Sequence, residues 1–383
     1  MSQLPAPSDA ALAHSTRLTN HIRQQIDQSG GWISFAQFME LALYAPGLGY
    51  YSAGAAKFGG SGDFTTAPEM TPLFGRTLAR QIGAVLAHTD GNILEFGAGS
   101  GKLALDILLE LERRGELPRR YYILDLSPDL RERQWQTFQQ YGLHLLPLVE
   151  WIDELPQQFS GAMIGNEVLD AMPAHLVALN QHGWHERGVC NGTGSFEWQD
   201  RPLSDAALKA ICGGIDAAPP YQTEISLTNR AFIRSLAECL RQGLILLIDY
   251  GFGASEYYHP QRNQGTLMCH YRHHAHGDAF FLPGLQDITV HVDFTAVAQT
   301  AIDHGLDLHG YTTQAHFLLN AGISDLLLQL DPTDLQRYLP HASAAQKLLN
   351  PAEMGELFKV LALSRSLDIQ LNGFSNGDRS RML

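Results

Sequence analysis

The feature that most constrains this chain is a glycine-rich turn between an apolar run and an amphipathic segment. Residues 92–96 predict a β-strand, Gly97-Ala-Gly-Ser-Gly101 follows, and residues 102–112 predict a helix. Glycines let the backbone turn tightly, and they let a ligand approach the first N–H groups of a helix. The sequence therefore predicts a strand–turn–helix unit that binds a ligand.

Two familiar glycine motifs fit this turn less well than a third one. A P-loop needs Gly-x-x-x-x-Gly-Lys followed by Ser or Thr, but here Lys102 precedes a leucine and Phe96 stands where the first glycine belongs. A dinucleotide fingerprint that starts at Gly97 meets Lys102 instead of its third glycine. One that starts at Gly99 meets Ala104, which the fingerprint tolerates, so a dinucleotide site stays open. The spacing Glu-x-Gly-x-Gly-x-Gly most resembles motif I of S-adenosylmethionine-dependent methyltransferases.

More strands and helices alternate along the chain after this unit. Further apolar runs predict strands at 121–125, 143–149, 162–165 and 244–249, and Ser127-Pro128 predicts the start of a helix. Strands that alternate with helices form right-handed βαβ units in a parallel, doubly wound sheet. The predicted fold class is α/β, with a Rossmann-like sheet.

The segments before and between these units have a different pattern. Leu18, Ile22 and Ile26 recur every four residues and predict a helix after a mobile tail over 1–15. A capping box at Ser34 and the pair Thr71-Pro72 predict two more helix starts. The predicted organisation is a helical extension with a covering loop over 1–75 and a sheet domain over 76–383, with insertions at about 175–240 and 255–295. A turn at Asn191-Gly192 favours a β-hairpin in the first insertion.

An acidic residue stands at the end of each of the first two predicted strands of the sheet. Glu95 closes the first strand, and Asp125 comes 24 residues after Gly101, at the end of the second. A carboxylate at the second position can accept hydrogen bonds from both ribose hydroxyls of an adenosyl ligand. The alternative is structural, with Glu95 capping a loop and Asp125 capping the following helix.

A second acidic group follows the strand predicted at 162–165. The run Asn166-Glu-Val-Leu-Asp170-Ala-Met-Pro173 places Glu167 and Asp170 three residues apart, and on one helical turn they would face the same side. Such a pair could bind a guanidinium through two parallel hydrogen bonds. The alternative is an ordinary helix start, where acidic residues are favourable.

The net charge of the chain limits the kinds of molecule that it can bind. The net charge of −14 argues against nucleic acid and anionic lipid, and it leaves room for a cationic substrate. The four cysteines are widely spaced, which indicates free thiols in a reducing compartment.

Histidines crowd residues 259–291 at irregular spacings, so we expect no metal site there. Tyr44, Tyr50 and Tyr51 either form the wall of a cofactor pocket or pack as an aromatic loop.

Seven motifs in order identify the chain as resembling the MidA-like family, once called domain of unknown function 185. They are Gly62-Asp-Phe-Thr-Thr-Ala-Pro-Glu69, Ile93-Leu-Glu-Phe-Gly-Ala-Gly-Ser-Gly101, Tyr122-Ile-Leu-Asp-Leu-Ser-Pro128, Asn166-Glu-Val-Leu-Asp-Ala-Met-Pro173, Asp249-Tyr-Gly251, Gln286-Asp-Ile-Thr-Val-His-Val-Asp-Phe294 and Met354-Gly-Glu-Leu-Phe-Lys-Val360. The resemblance covers residues 15 to 365. The family includes a mitochondrial protein arginine methyltransferase that assists assembly of respiratory complex I.

The resemblance implies a class I methyltransferase that uses S-adenosyl-L-methionine. Gly97, Gly99 and Gly101 would flank the methionine part of the cofactor, and Asp125 would hold its ribose, where the family more often has Glu. The other implied cofactor-binding residues are Glu95, Asn166 and, on a loop that closes over the cofactor, Thr66, Pro68 and Glu69. Glu167 and Asp170 would be catalytic and face the substrate, a protein such as a complex I subunit.

Two other functions stay open at this stage. One is a small-molecule methyltransferase of the same fold, and the other is an assembly chaperone that does not turn over. The N-terminus lacks the pattern of a secretory or mitochondrial signal, so we expect a bacterial cytoplasmic protein without membrane insertion. The sequence leaves the oligomeric state undetermined.

Overall fold

The computed structural model describes residues 4–53 and 66–383 of the chain. Its α-helices are α1 (Asp9–Gln28), α2 (Phe35–Tyr44), α3 (Ala67–Met70), α4 (Pro72–Leu86), α5 (Lys102–Arg114), α6 (Pro128–Tyr141), α7 (Ala206–Gly213), α8 (Leu227–Cys239), α9 (Ala254–Tyr257), α10 (Phe294–Asp303), α11 (Gln314–Asn320), α12 (Ile323–Leu327) and α13 (Leu335–Leu349). Its strands are β1 (Ile33–Ser34), β2 (Asn92–Phe96), β3 (Arg120–Leu124), β4 (Val149–Ile152), β5 (Phe159–Asn166), β6 (His175–Asn180), β7 (Gly183–Asn191), β8 (Phe196–Pro202), β9 (Tyr221–Ile225), β10 (Leu240–Phe252), β11 (Met268–Tyr271), β12 (His274–His276), β13 (Asp287–Thr289), β14 (Val292–Asp293), β15 (Asp307–Thr313) and β16 (Phe358–Arg365).

The central sheet has the strand order β15-β16-β10-β5-β2-β3-β4. The five strands from β4 to β10 pair in parallel, as predicted, whereas β16 runs antiparallel to both of its neighbours. From β2 the chain first builds outward through β3 and β4, and it then returns to add β5 on the other side. This reversal creates a crevice at the carboxyl ends of β2 and β5, where ligands bind in such sheets.

Helices cover both faces of the central sheet. On one face α4, α5, α11, α12 and α13 contribute to a core that includes Phe74 and Phe317, and on the other face α8 and α10 contribute Ile233 and Phe294. The central strands are therefore buried on both sides, which explains their nearly continuous apolar sequence. This is the Rossmann-like architecture that the sequence predicts.

A second sheet brings the N-terminal extension and an inserted segment together. Its order is β1-β7-β6-β9, with β8 paired to β7, so that β1 of the extension hydrogen-bonds to the predicted hairpin. The hairpin turn at Asn191-Gly192 is confirmed, since β7 and β8 are antiparallel. Helix α1 buries Leu18, Ile22 and Ile26, also as predicted. A third, smaller sheet, β12-β11-β13, lies in the 255–295 segment.

Two expectations about local structure are wrong. The tail predicted over 1–15 ends early, because Ser8 caps a helix that begins at Asp9. The strand predicted at 143–149 is mostly a 3₁₀ helix, Leu143–Leu148, and β4 begins only at Val149. Pro147 lies inside the predicted run and lacks the N–H that a sheet requires. No helix among the described residues is long and apolar enough to cross a membrane.

Candidate active site

A cavity of about 1810 Å³ opens at the crevice where the strand order reverses. Residues that follow β2, β3 and β5 line it, together with residues from the N-terminal extension and the inserted segments. The predicted site residues that line it are Thr66, Pro68, Glu69, Glu95, Gly97, Gly99, Asp125, Asn166, Glu167 and Asp170. The first part of the 62–69 motif, residues 62–65, lies outside the described residues.

The glycine turn has a left-handed backbone, which glycine adopts readily because it has no side chain. Gly97, Gly99 and Gly101 all have positive φ, at 62°, 55° and 82°. Gly101 is not among the cavity-lining residues. A Cβ at Gly101 would lie 3.0 Å from the Cα of Gln134, so this glycine lets α6 pack closely against the start of α5.

Asp125 is buried and firmly held at the end of β3. Its Oδ1 accepts the N–H of Ser127 at 3.0 Å, and its Oδ2 accepts a hydrogen bond from Gln134 Nε2 at 2.8 Å. Gln134 is fixed in turn by Trp151, whose Nε1 donates to Gln134 Oε1 at 2.8 Å. Sequence reasoning missed Gln134, because only the packing of α6 on the sheet brings it to Asp125.

Glu95 lies inside β2 and is 2% exposed. Burial raises its pKa to about 7, and the nearby Asp125 adds to this effect, although a hydrogen bond from Tyr121 OH at 2.7 Å opposes it. The sequence gives no sign of this pairing, which depends on the parallel register of β2 and β3.

The segment before α4 contacts the glycine turn. The hydroxyl of Ser100 donates a hydrogen bond to Glu69 Oε1. Thr66 stands just before the short helix α3, and its carbonyl accepts the N–H of Glu69 at 3.0 Å, while Pro68 lies within the helix. The segment is therefore in place next to the predicted cofactor position.

Residues 166–170, here called the acidic loop, begin at the last residue of β5 and do not form the predicted helical turn. Glu167 has a left-handed backbone with φ of 54°, and its N–H donates to the carbonyl of Ile248 on β10 at 2.8 Å. The expectation that helical spacing aligns Glu167 and Asp170 is wrong, because hydrogen bonds to β10 determine the loop instead. The two side chains nevertheless line the same cavity.

The acidic loop holds carboxyl groups with perturbed pKa values. Burial raises the pKa of Glu167 to about 8, and the negative charges of Asp170 and Asp287 raise it further. Burial also raises the pKa of Asp170 to about 6, against a 2.5 Å hydrogen bond that Tyr250 OH donates to its Oδ2. Within the described ranges, Asp170 Oδ1 and Asn166 Oδ1 are buried without a hydrogen-bond partner.

Aromatic residues of the extension form part of the same cavity. Tyr44 and Tyr51 line it and stack with ring centroids 5.5 Å apart, whereas Tyr50 is buried in the apolar core of the extension. The hydroxyl of Tyr51 donates to Asp287 Oδ1 at 3.0 Å. Both readings of the tyrosines are therefore partly right. Sequence reasoning missed Asp287 as well as Tyr250, although both lie in motifs that it quoted.

Only some of the histidines in the 259–291 segment line the cavity. His270 and His291 line the cavity, and burial lowers the pKa of His291 to about 4, so that its ring is neutral at pH 7. Residues 4–53 and 66–383 contain no group of three His, Cys, Asp or Glu side chains placed to hold a metal ion.

The electrostatics of the cavity favour a cation. The described residues that line it include ten carboxylates against a single lysine and no arginine. Lys102 is itself engaged, since its Nζ donates to Asp106 Oδ2 at 2.6 Å. A positively charged ligand would compensate this charge, whereas an anionic one would meet repulsion.

The strand order and the crevice at its reversal define the class of protein, a Rossmann-like methyltransferase fold. A model of the S-adenosyl-L-methionine-dependent methyltransferase family matches residues 74–312, and the chain belongs to this family. A Burkholderia thailandensis protein whose crystal structure contains S-adenosyl-homocysteine is 51% identical, with a TM-score of 0.96 and coverage of 100% of both chains.

Curated relatives are similar over nearly the whole chain as well. The mitochondrial protein arginine methyltransferase NDUFAF7 of Danio rerio is 28% identical, covering 90% of this chain and 86% of its own length. The protein of the same name from Homo sapiens is 26% identical, with coverage of 91% and 83%. The relatives are thus named as methyltransferases, which is the class of protein that the fold and the cavity indicate.

Proposed function

We propose that this chain is an S-adenosyl-L-methionine-dependent protein arginine methyltransferase. One observation carries the proposal: the glycine turn and Asp125 open into the same acidic cavity as the Glu167 and Asp170 pair. A methyl donor and a cationic acceptor could therefore meet in one enclosed space. The names of the NDUFAF7 relatives support the choice of a protein arginine as the acceptor.

The chain's own residues fit the cofactor. The positive φ angles of the glycine turn open the backbone for the methionine part, with Gly97 and Gly99 in contact and Gly101 supporting the turn. Asp125 is held with its carboxylate at the cavity and would bind the ribose hydroxyls. The proposed covering contacts come from Thr66, Pro68 and Glu69, and Glu95 and Asn166 line the same cavity.

Glu167 and Asp170 would hold the guanidinium of the substrate. When bound, the cofactor supplies a methyl group on a sulfonium, and its transfer is an in-line displacement that depends on position and charge. Arginine is a poor nucleophile while its charge is spread over the guanidinium. Carboxylates on two of its nitrogens would concentrate that charge there and leave the third nitrogen to attack. That nitrogen would gain the methyl group and give up one proton to a carboxylate of the pair, and S-adenosyl-homocysteine would leave. Asp170 Oδ1, buried without a partner among the described residues, is a ready acceptor for one of these N–H groups.

The substrate would be a subunit of respiratory complex I or a similar protein, as the family resemblance implies. The lining of the cavity comes from many separate parts of the chain, including α2 and α8, and its volume of about 1810 Å³ exceeds the roughly 300–1,000 Å³ of ordinary small-ligand pockets. Room for a polypeptide segment beside the cofactor is consistent with a protein substrate. We place the reaction in the bacterial cytoplasm.

The proposal can be tested with purified bacterial complex I and radiolabelled S-adenosyl-L-methionine. We expect label in one complex I subunit, and methylarginine in that subunit by mass spectrometry. Label that appears only in small molecules of a cell extract would indicate a small-molecule methyltransferase. Stable association with complex I subunits without any label would indicate an assembly chaperone, and either result would overturn the proposal.

A further inference from the structure

The acidic loop is held by a side chain from the neighbouring strand. Asp249 of β10 is 1% exposed, and its Oδ2 accepts the N–H groups of residues 168, 169 and 170 at 3.1, 2.9 and 3.3 Å. Its Oδ1 accepts the N–H of Tyr250 at 2.9 Å. Asp249 is not among the residues that line the cavity. A single buried carboxylate thus accepts four backbone N–H groups beneath the loop.

This arrangement explains how the loop keeps its conformation. Three successive N–H groups that converge on one oxygen form a concave site for an anion, and the carboxylate of Asp249 fills it. Without an acceptor, each buried N–H would lose its hydrogen bond to water with nothing in exchange, which destabilises the loop. The left-handed backbone of Glu167, which is unfavourable for a residue with a side chain, is compatible with this arrangement and begins the turn.

Hydrogen bonds from other parts of the chain hold the carbonyl groups of the loop and not its N–H groups. The carbonyl of Asp170 accepts the N–H of Val290 at 3.0 Å, and the carbonyl of Leu169 accepts a hydrogen bond from Asn229 Nδ2 at 3.2 Å. These bonds attach the loop's carbonyls to its surroundings. The convergence of its N–H groups is the part that depends on Asp249.

We propose that Asp249 is a positioning residue: it fixes the acidic loop so that Glu167 and Asp170 both face the guanidinium site. The inference uses the proposed function only for what these two side chains bind. The two oxygens of Asp249 are paired with backbone N–H groups, while burial and the neighbouring Asp170 and Glu167 raise its pKa. The side chains of Glu167 and Asp170 take no part in this pairing and line the cavity.

The test compares Asp249→Asn with Asp293→Asn in the full chain. Asp293 is a matched control, because it also accepts a backbone N–H, that of Ala296 at 3.1 Å, and a tyrosine hydroxyl, but it lies outside the cavity. Three properties are measured: S-adenosyl-homocysteine affinity by calorimetry, hydrogen exchange over residues 166–170 by mass spectrometry, and methylguanidinium affinity by NMR.

We expect Asp249→Asn to keep its S-adenosyl-homocysteine affinity, to exchange at least about tenfold faster over 166–170, and to bind methylguanidinium several-fold more weakly. Asp293→Asn should leave the loop exchange and both affinities unchanged. Unchanged exchange in Asp249→Asn, or equal loop opening in both variants, would overturn the positioning role.

Two further outcomes separate this inference from the proposed function. If the wild type fails to bind methylguanidinium while the exchange pattern is as expected, the guanidinium site is wrong and the positioning of the loop stands. If Asp249→Asn does not fold, exchange in the wild type decides. Protection of residues 168–170 as strong as that of β10 would support the inference, and exchange as fast as in an exposed loop would refute it.

Discussion

The two halves of the cavity differ in how completely their polar groups are already paired. On the cofactor side, both oxygens of Asp125 accept hydrogen bonds, and Glu95 accepts one from Tyr121. On the substrate side, Asp170 Oδ1 is buried without a partner anywhere in the described chain. The cofactor side is formed in advance, whereas the substrate side lacks donors that a guanidinium could supply.

The difference indicates where binding energy would arise. A buried acceptor without a donor costs about 1–3 kcal/mol, and a ligand that brings the donor recovers that free energy. A ligand of the cofactor side recovers little in this way and depends on shape and on the charge of Asp125. Variants of the two halves should therefore have different consequences.

The largest effect should come from Glu167→Gln on the substrate side. An amide keeps the shape but loses the negative charge that would hold the guanidinium, so methyl transfer should fall about 10²–10³-fold, as when one electrostatic contact of an active site is removed. S-adenosyl-homocysteine affinity, measured by calorimetry, should be unchanged. Glu132→Gln, an exposed acid on α6, is the control. Unchanged transfer in Glu167→Gln would remove the distinction between the halves.

The next largest effect concerns the cofactor side, where we expect cofactor affinity to change and methyl transfer to be largely kept. Asp125→Ala removes a carboxylate that would bind the ribose, and hydrogen bonds to charged groups contribute about 1.5–3 kcal/mol each. We expect S-adenosyl-homocysteine affinity to fall about ten- to a hundredfold, while methyl transfer at saturating cofactor is largely kept. A Kd equal to that of the wild type would show that Asp125 only caps α6.

A third effect is the pH dependence of the substrate side. Glu167 holds its proton below a pKa of about 8, so methyl transfer should rise with pH, by about fivefold from pH 7 to pH 8. The same raised pKa means that the folded protein binds this proton more tightly than the unfolded chain does. The resulting stabilisation is present at low pH and is lost as the pH rises through about 8.

Thermal unfolding can check this sign without a substrate. The unfolding temperature of the wild type, relative to that of Glu167→Gln, should fall as the pH rises from 5 to 8.5. A difference between the two proteins that stays constant over this range would contradict the raised pKa of Glu167.

The smallest effect should come from Gln134→Leu, which removes a support of Asp125 and not a proposed ligand contact. Loss of one neutral donor costs about 0.5–1.5 kcal/mol, so S-adenosyl-homocysteine affinity should fall about two- to tenfold. Gln136→Leu, an exposed position on the same helix, is the matched control and should have no effect. Equal affinities of the two variants would mean that Asp125 is held without Gln134.

Local sequence was sufficient where local interactions decide the structure. The strand Asn92–Phe96, the glycine turn and the helix that follows have the predicted order, because apolar runs and glycines act within a few residues. The capping box of Ser34 and Gln37 is confirmed for the same reason. The family resemblance also named ten residues that line the cavity, and several of them lie at or just after the end of a strand that the sequence marks.

Tertiary structure alone decided the finer chemistry. Gln134 donates a hydrogen bond to Asp125. Tyr250 and Asp249 hold the acidic loop, although they are about 80 residues away from it along the chain. These partners meet only because β3, β5 and β10 lie in one sheet and α6 packs beside it. Their contacts gave Glu167 a left-handed backbone in place of the predicted helical turn. The sequence by itself determined the glycine turn and the acidic residues at the ends of β2, β3 and β5, whereas contacts between distant segments determined the backbone of the acidic loop, its partners and how strongly its carboxyl groups hold their protons.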